Sequence, residues 1–290
     1  VQSLVGASLI YLLLPVALFL AGWLRWTLAL PLLALLLLAL RAIVRGTDRP
    51  VAVEGERIGR PGRRLRQLVP LLVIATLLLG MSGTGGVGYQ DTDWLKHNAV
   101  LKDLIDRPWP VTYEFDGQQI PLVYYVAYYL PAAAVGKALG WAAANWALLA
   151  WSLGGAILTL LWFQLLARRA DRRTLLLFAV FSGLDIAGQL FTRQVIAPIR
   201  PEVGALLTWT HLEGWAVGWQ YSANATLLFW VPNQALAGWL ATGLIAYGLL
   251  NPSRELDALF CTSLVAFWSP FVALGLLPYL VASLWLPGGR

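Results

Sequence analysis

The polar positions of this chain are bunched, and between the bunches run long stretches of apolar residues. Leu4–Leu24, Leu28–Val44, Leu68–Gly83, Ala142–Leu166, Thr174–Phe191, Ala225–Leu250 and Leu259–Leu286 each approach or exceed the roughly 20 residues that cross ~30 Å of hydrocarbon. Backbone amides in lipid have to be satisfied within their own segment, so such runs are predicted as helices. A signal peptide accounts for one of them, not for the set. The pattern predicts an all-α fold, a polytopic transmembrane helix bundle of about 7-8 hydrophobic helices, with interfacial helices in the first large outer loop.

The polar bunches orient this bundle. Between Arg41 and Arg66 lie eight arginines against Asp48, Glu54 and Glu56, and Ala167–Arg173 holds four arginines and one aspartate. Both read as cytoplasmic by the positive-inside rule. From Gly83 to Ile120, Lys96, Lys102 and Arg107 stand against Asp91, Asp93, Asp103, Asp106, Glu114 and Asp116, so this loop is expected outside. If Pro121–Gly140 then spanned, the next helix would deliver Arg168, Arg169, Arg172 and Arg173 to the outer face. The segment is therefore expected to return to the outer side as a re-entrant or interfacial helix. Tyr124, Tyr125, Tyr128 and Tyr129 suit that interface, and Pro121 and Pro131 disfavour a straight span. Thr174–Phe191 then runs outward, Ala225–Leu250 inward, and the last run outward with a kink at Ser269-Pro270.

Two regions follow: residues 1–66, an N-terminal transmembrane hairpin with a basic cytoplasmic loop, and residues 67–290, a transmembrane core with outer loops 83–141 and 192–224. No repeat of 20–50 residues stands out. The first residue is Val1 and the chain stops at Arg290 soon after an apolar run, as expected for a piece of a longer protein.

Composition agrees with the pattern: 59% of residues are hydrophobic and 12% charged, where soluble domains carry about 25% charged residues. The single cysteine, Cys261, excludes an intramolecular disulfide or a multi-thiolate metal site. The net charge of +6 comes from arginines beside helix ends, which points to membrane topology rather than nucleic acid.

Candidate chemistry lies in the outer half. Gly83-Thr-Gly-Gly-Val-Gly88 matches the dinucleotide fingerprint by letter, but it follows a membrane helix rather than a strand, and its glycines suit a tight turn instead. Asp91-Thr-Asp93 comes next, with Lys96, His97 and Asn98. On a helix Asp93 and His97 share a face. Two carboxylates, an imidazole and an amide within two turns can hold a divalent cation such as Mg or Mn, or form a base with its orienting partner. The alternative is an amphipathic surface helix capped by Asp91 or Thr92. Asp185 is placed about two thirds of the way out along its helix, where an ionisable group in a span is a functional hypothesis; a neutral carboxyl packed against another helix is the alternative. Asn233 and Gln234 lie near the outer end of the next span. The loop between offers His211, Glu213, Tyr221 and neighbouring polar groups. Nothing comparable lines the inner half, and a one-sided polar cavity fits an enzyme acting on a lipid-anchored substrate better than a carrier, whose sites lie near the midplane.

This arrangement resembles the GT-C glycosyltransferases, integral membrane enzymes that use polyprenyl-phosphate-linked sugars. The shared pattern is a helix (Leu68–Gly83), an acidic motif at the start of the first large outer loop (Asp91-Thr-Asp93), then membrane-parallel helices (Trp94–Asp106 and Pro121–Gly140). The resemblance runs from about Leu68 to the end; two hydrophobic segments precede it, and later helices and a soluble C-terminal domain found in many relatives are not in this sequence. It implies a polyprenyl-linked sugar donor, a glycan, lipid or protein acceptor, and a site on the extracytoplasmic face of the plasma (inner) membrane. Asp91 or Asp93 would be the general base, with His97 and Lys96 orienting it or holding the lipid phosphate. Arg193 or Arg200 would compensate the leaving phosphate, and aromatic residues would stack on sugars. No cofactor is required by the resemblance, with a divalent metal as an option. Two other readings stay open: a carrier or flippase for lipid-linked polysaccharide precursors using Asp185 and Asn233, and a non-catalytic membrane subunit of a larger complex.

Overall fold

The computed structural model describes residues 2–46, 61–167, 172–202, 212–216, 220–250 and 258–285. Helix α1 (Gln2–Trp23) passes through Leu24-Arg25 into α2 (Trp26–Gly46), which packs back along it. Helix α3 (Pro61–Met81) leads to a short 3-10 turn at Thr84–Gly86 and then to α4 (Asp93–Asp106). A small hairpin follows, β1 (Thr112–Phe115) paired antiparallel with β2 (Gln118–Pro121), Thr112 opposite Pro121 and Phe115 opposite Gln118. It turns at Asp116-Gly117, both with positive φ. The remaining elements are α5 (Leu130–Ala167), α6 (Arg172–Val180), α7 (Asp185–Phe191) continuing through a wide turn at Thr192–Ile196 into α8 (Ala197–Ile199), α9 (Asn224–Trp230), α10 (Pro232–Leu250), α11 (Ala258–Ala266) and α12 (Pro270–Trp285).

Three helices carry the core. Along α1 and α5 the contacts run in opposite directions: the Trp162 indole donates to Ser8 Oγ at 2.9 Å, and the Tyr11 ring stacks on Trp151 at 4.0 Å. Helix α10 runs parallel to α5, with Leu236 against Gly155 and Gly243 against Trp162. Gly155 lets the Tyr11 ring of α1 approach the α5 backbone and Gly243 lets Trp162 approach that of α10, the close approach that small residues permit at helix crossings. The Trp268 indole, between α11 and α12, donates to the Leu12 carbonyl at 3.1 Å and ties the last helices to α1.

Gln2–Trp23, Trp26–Arg45 and Ala127–Ala167 are long and apolar enough to cross a membrane, and the bent pair Arg173–Val180 plus Asp185–Ile199 makes up to four. Of the other apolar runs, Val69–Met81 and Pro270–Ser283 are shorter helices. Pro70 and Ser269-Pro270 lie at or near the ends of these shorter helices. Since α1 opposes both α2 and α5, the helices that lead into the two arginine-rich segments point the same way. The α3–α4 connection lies at the opposite end, where Gly85 packs against Asn145. This connection is the glycine-rich stretch: Gly83, Gly85, Gly86 and Gly88 all have positive φ, and a Cβ at Gly88 would lie 2.4 Å from the Gly80 carbonyl oxygen. It forms a tight turn with no strand before it.

Four expectations change. The outer loop is not wholly helical but contains the β1–β2 hairpin. As expected of Pro121–Gly140, this stretch does not prolong the following apolar run: Gly140 adopts φ 84°, and a Cβ on Gly136 would lie 2.8 Å from that of Ala144. Eight residues of straight helix separate such atoms by ~12 Å. The chain doubles back at Gly140, so Leu130–Leu139 lies beside Ile105 of α4 rather than extending the span. Tyr128 and Tyr129 are fully buried there, not at an interface, because each hydroxyl has a polar partner inside. The run Thr174–Phe191 breaks at Phe181–Leu184, where Gly183 and Ser182 interrupt it, so Asp185 opens α7 instead of sitting within a continuous helix. Finally, Leu259–Leu286 forms two helices that pack on one another across Phe267-Trp268-Ser269 rather than one kinked span.

Candidate functional site

Helix α4 forms because its apolar residues recur at helical spacing: Trp94, Val100, Leu101 and Leu104 are buried, while Lys96, Lys102 and Asp106 face outward. Its start is held by Asp91, whose Oδ1 accepts the Asp93 N–H at 2.9 Å, the capping role a carboxylate plays at a helix start. Asp93 itself is partly exposed and pairs with Lys96 Nζ at 3.4 Å. Lys96 in turn lies over the Tyr124 ring, 5.9 Å from its centroid. Asn98 donates to Gln90 Oε1 at 2.9 Å, and Gln90 donates to the Gly83 carbonyl at 2.8 Å, which fixes the loop onto the glycine turn.

His97 differs from the role expected of it. It is 1% exposed, and both ring nitrogens are engaged. The Trp230 carbonyl lies 3.0 Å from Nε2; a carbonyl only accepts, so Nε2 carries the proton. The neutral ring then accepts the Tyr129 hydroxyl at Nδ1. Burial pushes the imidazole below its ordinary value of 6.5, with the Trp230 carbonyl opposing, Lys96 adding to the fall, and Asp93 and Asp91 opposing more weakly. A histidine saturated in this way is not a free base or a metal ligand. Among the described residues no three His, Cys, Asp or Glu side chains are grouped to hold a metal ion. With Asp91 Oδ1 held by backbone, Asp91, Asp93 and His97 do not fit a cation set.

A second polar group gathers at the α6–α7 break, in a cavity of 330 Å³ lined by Val180, Ser182, Asp185, Glu213, Ala223, Thr226 and Trp230. Asp185 accepts the Ser182 hydroxyl at Oδ2 and the Trp215 indole N–H at Oδ1, the latter at 3.2 Å. Glu213 accepts the Ala223 N–H at 3.0 Å and the Thr226 hydroxyl at 2.7 Å through Oε1, and Gln220 Nε2 at 3.3 Å through Oε2. It thereby holds the start of α9. Asn224 Nδ2 donates to the Phe178 carbonyl at 2.7 Å, closing α9 onto α6.

A third feature is apolar. Phe19, Val123, Tyr124, Tyr125, Val126, Ala127, Ala266, Phe267 and Pro270 line a cavity of about 430 Å³ between the C-terminal end of α1, the segment before α5 and the α11–α12 junction. Tyr124 belongs both to the wall of this cavity and to the cation contact with Lys96, so the Asp93–Lys96 pair and the cavity share that ring as a neighbour.

The other predicted residues scatter. Asn233 is buried, with neither amide atom hydrogen-bonded, and Gln234 is half-buried. Arg193 and Arg200 are exposed along the continuation of α7. Tyr221 is exposed with its ring edge-on to Phe181 at 6.4 Å. His211 lies outside the described residues. Sequence reasoning missed Tyr129 and Trp230 as partners of His97, Ser182 and Thr226 in the acidic cavity, and the aromatic cavity itself. A signal for the helix break was present in Phe181-Ser-Gly-Leu-Asp185, where a glycine and a serine three residues before an aspartate interrupt an apolar run. No protein-family model, curated protein or solved structure matches this chain.

Proposed function

We propose that this chain is a multi-pass enzyme of the plasma (inner) membrane that transfers a sugar from a polyprenyl-phosphate or polyprenyl-diphosphate donor to an envelope acceptor on the extracytoplasmic face. The observation that carries it is the Asp93–Lys96 pair standing beside Tyr124, a wall residue of the aromatic cavity of about 430 Å³. Part of an isoprenoid tail fits a cavity of that size and apolar lining. Lys96 is placed to meet the phosphate, and Asp93 the acceptor. The acceptor hydroxyl loses its proton to the Asp93 carboxylate as its oxygen attacks the anomeric carbon; the bond from that carbon to the phosphate oxygen breaks, and the lipid phosphate leaves with the electron pair. Asp93 is favoured over Asp91 because Asp91 already serves the α4 backbone. The remaining spans of the predicted 7-8, and the outward orientation of α4, belong to this proposal.

The experiment is incubation of the protein in vesicles with polyprenyl-phosphate sugars and identification of the product. Transfer by the wild type and its loss in Asp93→Asn, with expression unchanged, supports the reading; undiminished transfer by Asp93→Asn removes the base. A carrier is the second reading, favoured by the broken α6–α7 pair with Asp185 at the break, since transporters place ionisable groups at interrupted helices. It predicts movement of a lipid-linked substrate across the vesicle without any covalent product, abolished by Asp185→Asn.

A further inference from the structure

The contacts of His97 join parts of the chain that are far apart in sequence. Helix α4 carries His97 together with Asp93 and Lys96. Tyr129 belongs to the short 3-10 turn at Ala127–Tyr129 that opens the doubled-back leg of α5. Trp230 ends α9 and is one of the residues lining the acidic cavity at the α6–α7 break. The Trp230 carbonyl accepts from His97 because the helix is broken there. Val231 precedes Pro232 and is held out of the helical region (φ −138°, ψ 53°). The Gln234 N–H, which would reach the Trp230 oxygen in an unbroken helix, goes to Val231 O at 2.9 Å instead. His97 Nε2–H supplies the donor at the break.

We propose that His97 is a positioning residue: its imidazole, with the proton on Nε2, pins the acidic start of α4 to the α9–α10 break and to the Tyr129 turn, whose Ala127 lines the aromatic cavity, so that Asp93 and Lys96 are held in fixed register with that cavity. The catalytic consequence rests on the glycosyltransferase reading above; the mechanical coupling does not. Pinning needs one donor and one acceptor about 2.2 Å apart, which a glutamine amide also provides. A glutamine amide does not titrate near neutral pH, so it separates positioning from acid–base chemistry.

The test compares His97→Gln, His97→Phe and His97→Ala in vesicles, by hydrogen–deuterium exchange and by sugar transfer across pH. In the Gln variant, protection of residues 93–98 and 224–234 should stay near wild type, with kcat within about threefold and the same pH profile. In the Phe and Ala variants both segments should lose protection together by about tenfold or more, as expected when a buried hydrogen bond is lost. Phe keeps the ring volume, so agreement of Phe with Ala assigns the loss to the hydrogen bonds rather than to packing. Loss of protection at 93–98 alone overturns the coupling. A Gln variant that is fully protected yet inactive overturns positioning and restores His97 as an acid or base. If the wild type transfers no sugar, the function proposed above fails while the exchange result still decides the coupling.

Discussion

Gly155 on α5 faces the hydroxyl of Tyr11 on α1 so closely that a Cβ at 155 would lie 2.5 Å from that oxygen. The ring cannot withdraw, because it is stacked on Trp151 at 4.0 Å and on Trp268 at 5.5 Å. Gly155→Ala is therefore expected to destabilise the bundle by about 1–3 kcal/mol, the usual cost of overpacking. Its neighbour Gly154 has nothing within 4 Å of a built Cβ, so Gly154→Ala should be neutral or stabilising by about 0.5 kcal/mol. Thermal unfolding of the two variants in detergent checks the pair; equal melting temperatures would show that α1 and α5 do not meet at Gly155.

The two aspartates of the acidic motif should separate cleanly. Asp93→Asn removes the proposed base and should lower transfer by about 10²–10⁴-fold. It should change stability by at most about 1 kcal/mol, because its partner Lys96 is itself exposed. Asp91→Asn keeps an oxygen for the Asp93 N–H and should be stable, whereas Asp91→Ala loses the cap and about 1 kcal/mol. Activity and melting temperature measured on the same three preparations decide the roles; loss of activity in Asp91→Asn but not in Asp93→Asn would exchange them.

Burial lowers the His97 value below 6.5, so the unfolded chain binds a proton more readily than the folded one. The resulting stabilisation is fully present above the ordinary imidazole value and is lost as pH falls from there through the lower folded value. Wild-type melting temperature should therefore drop between about pH 7 and about pH 5, and His97→Gln should show a shallower drop over the same interval. Parallel curves for the two proteins would mean that His97 is not held neutral in the fold.

Cys261 is buried at 1% exposure, so the wild-type chain should resist a membrane-impermeant maleimide. A cysteine replacing exposed Gln119 on the hairpin should label in intact cells, and one replacing Arg45 at the end of α2 should label only after lysis. The reverse pattern would put the acidic motif on the cytoplasmic face, away from the proposed donor.

How far the sequence reached can be judged at particular residues. Apolar blocks announced helices correctly because burying a run of hydrocarbon is a local property of composition, and Trp94–Asp106 was legible as an amphipathic helix from its spacing. The opposed charges of the two kinds of loop likewise predicted that α2 and α5, the helices leading into the arginine-rich segments, run in the same direction. Interruptions were harder. The turn at Gly140 fell where the interfacial segment was expected to end, but the Ser182-Gly183 stretch breaks an apolar run that local hydropathy treats as continuous, because a change of backbone direction leaves no mark on a hydrophobicity profile.

What the sequence alone determined is therefore a membrane-type helical chain with an acidic motif at one end. Only the tertiary structure decided what the motif's residues do. It gave Asp91 to the backbone, left Asp93 paired with Lys96 next to Tyr124, and closed His97 between Tyr129 and Trp230. The physical reason is distance along the chain: His97 meets a carbonyl 133 residues away, and no local pattern encodes which broken helix will offer an acceptor to a buried imidazole.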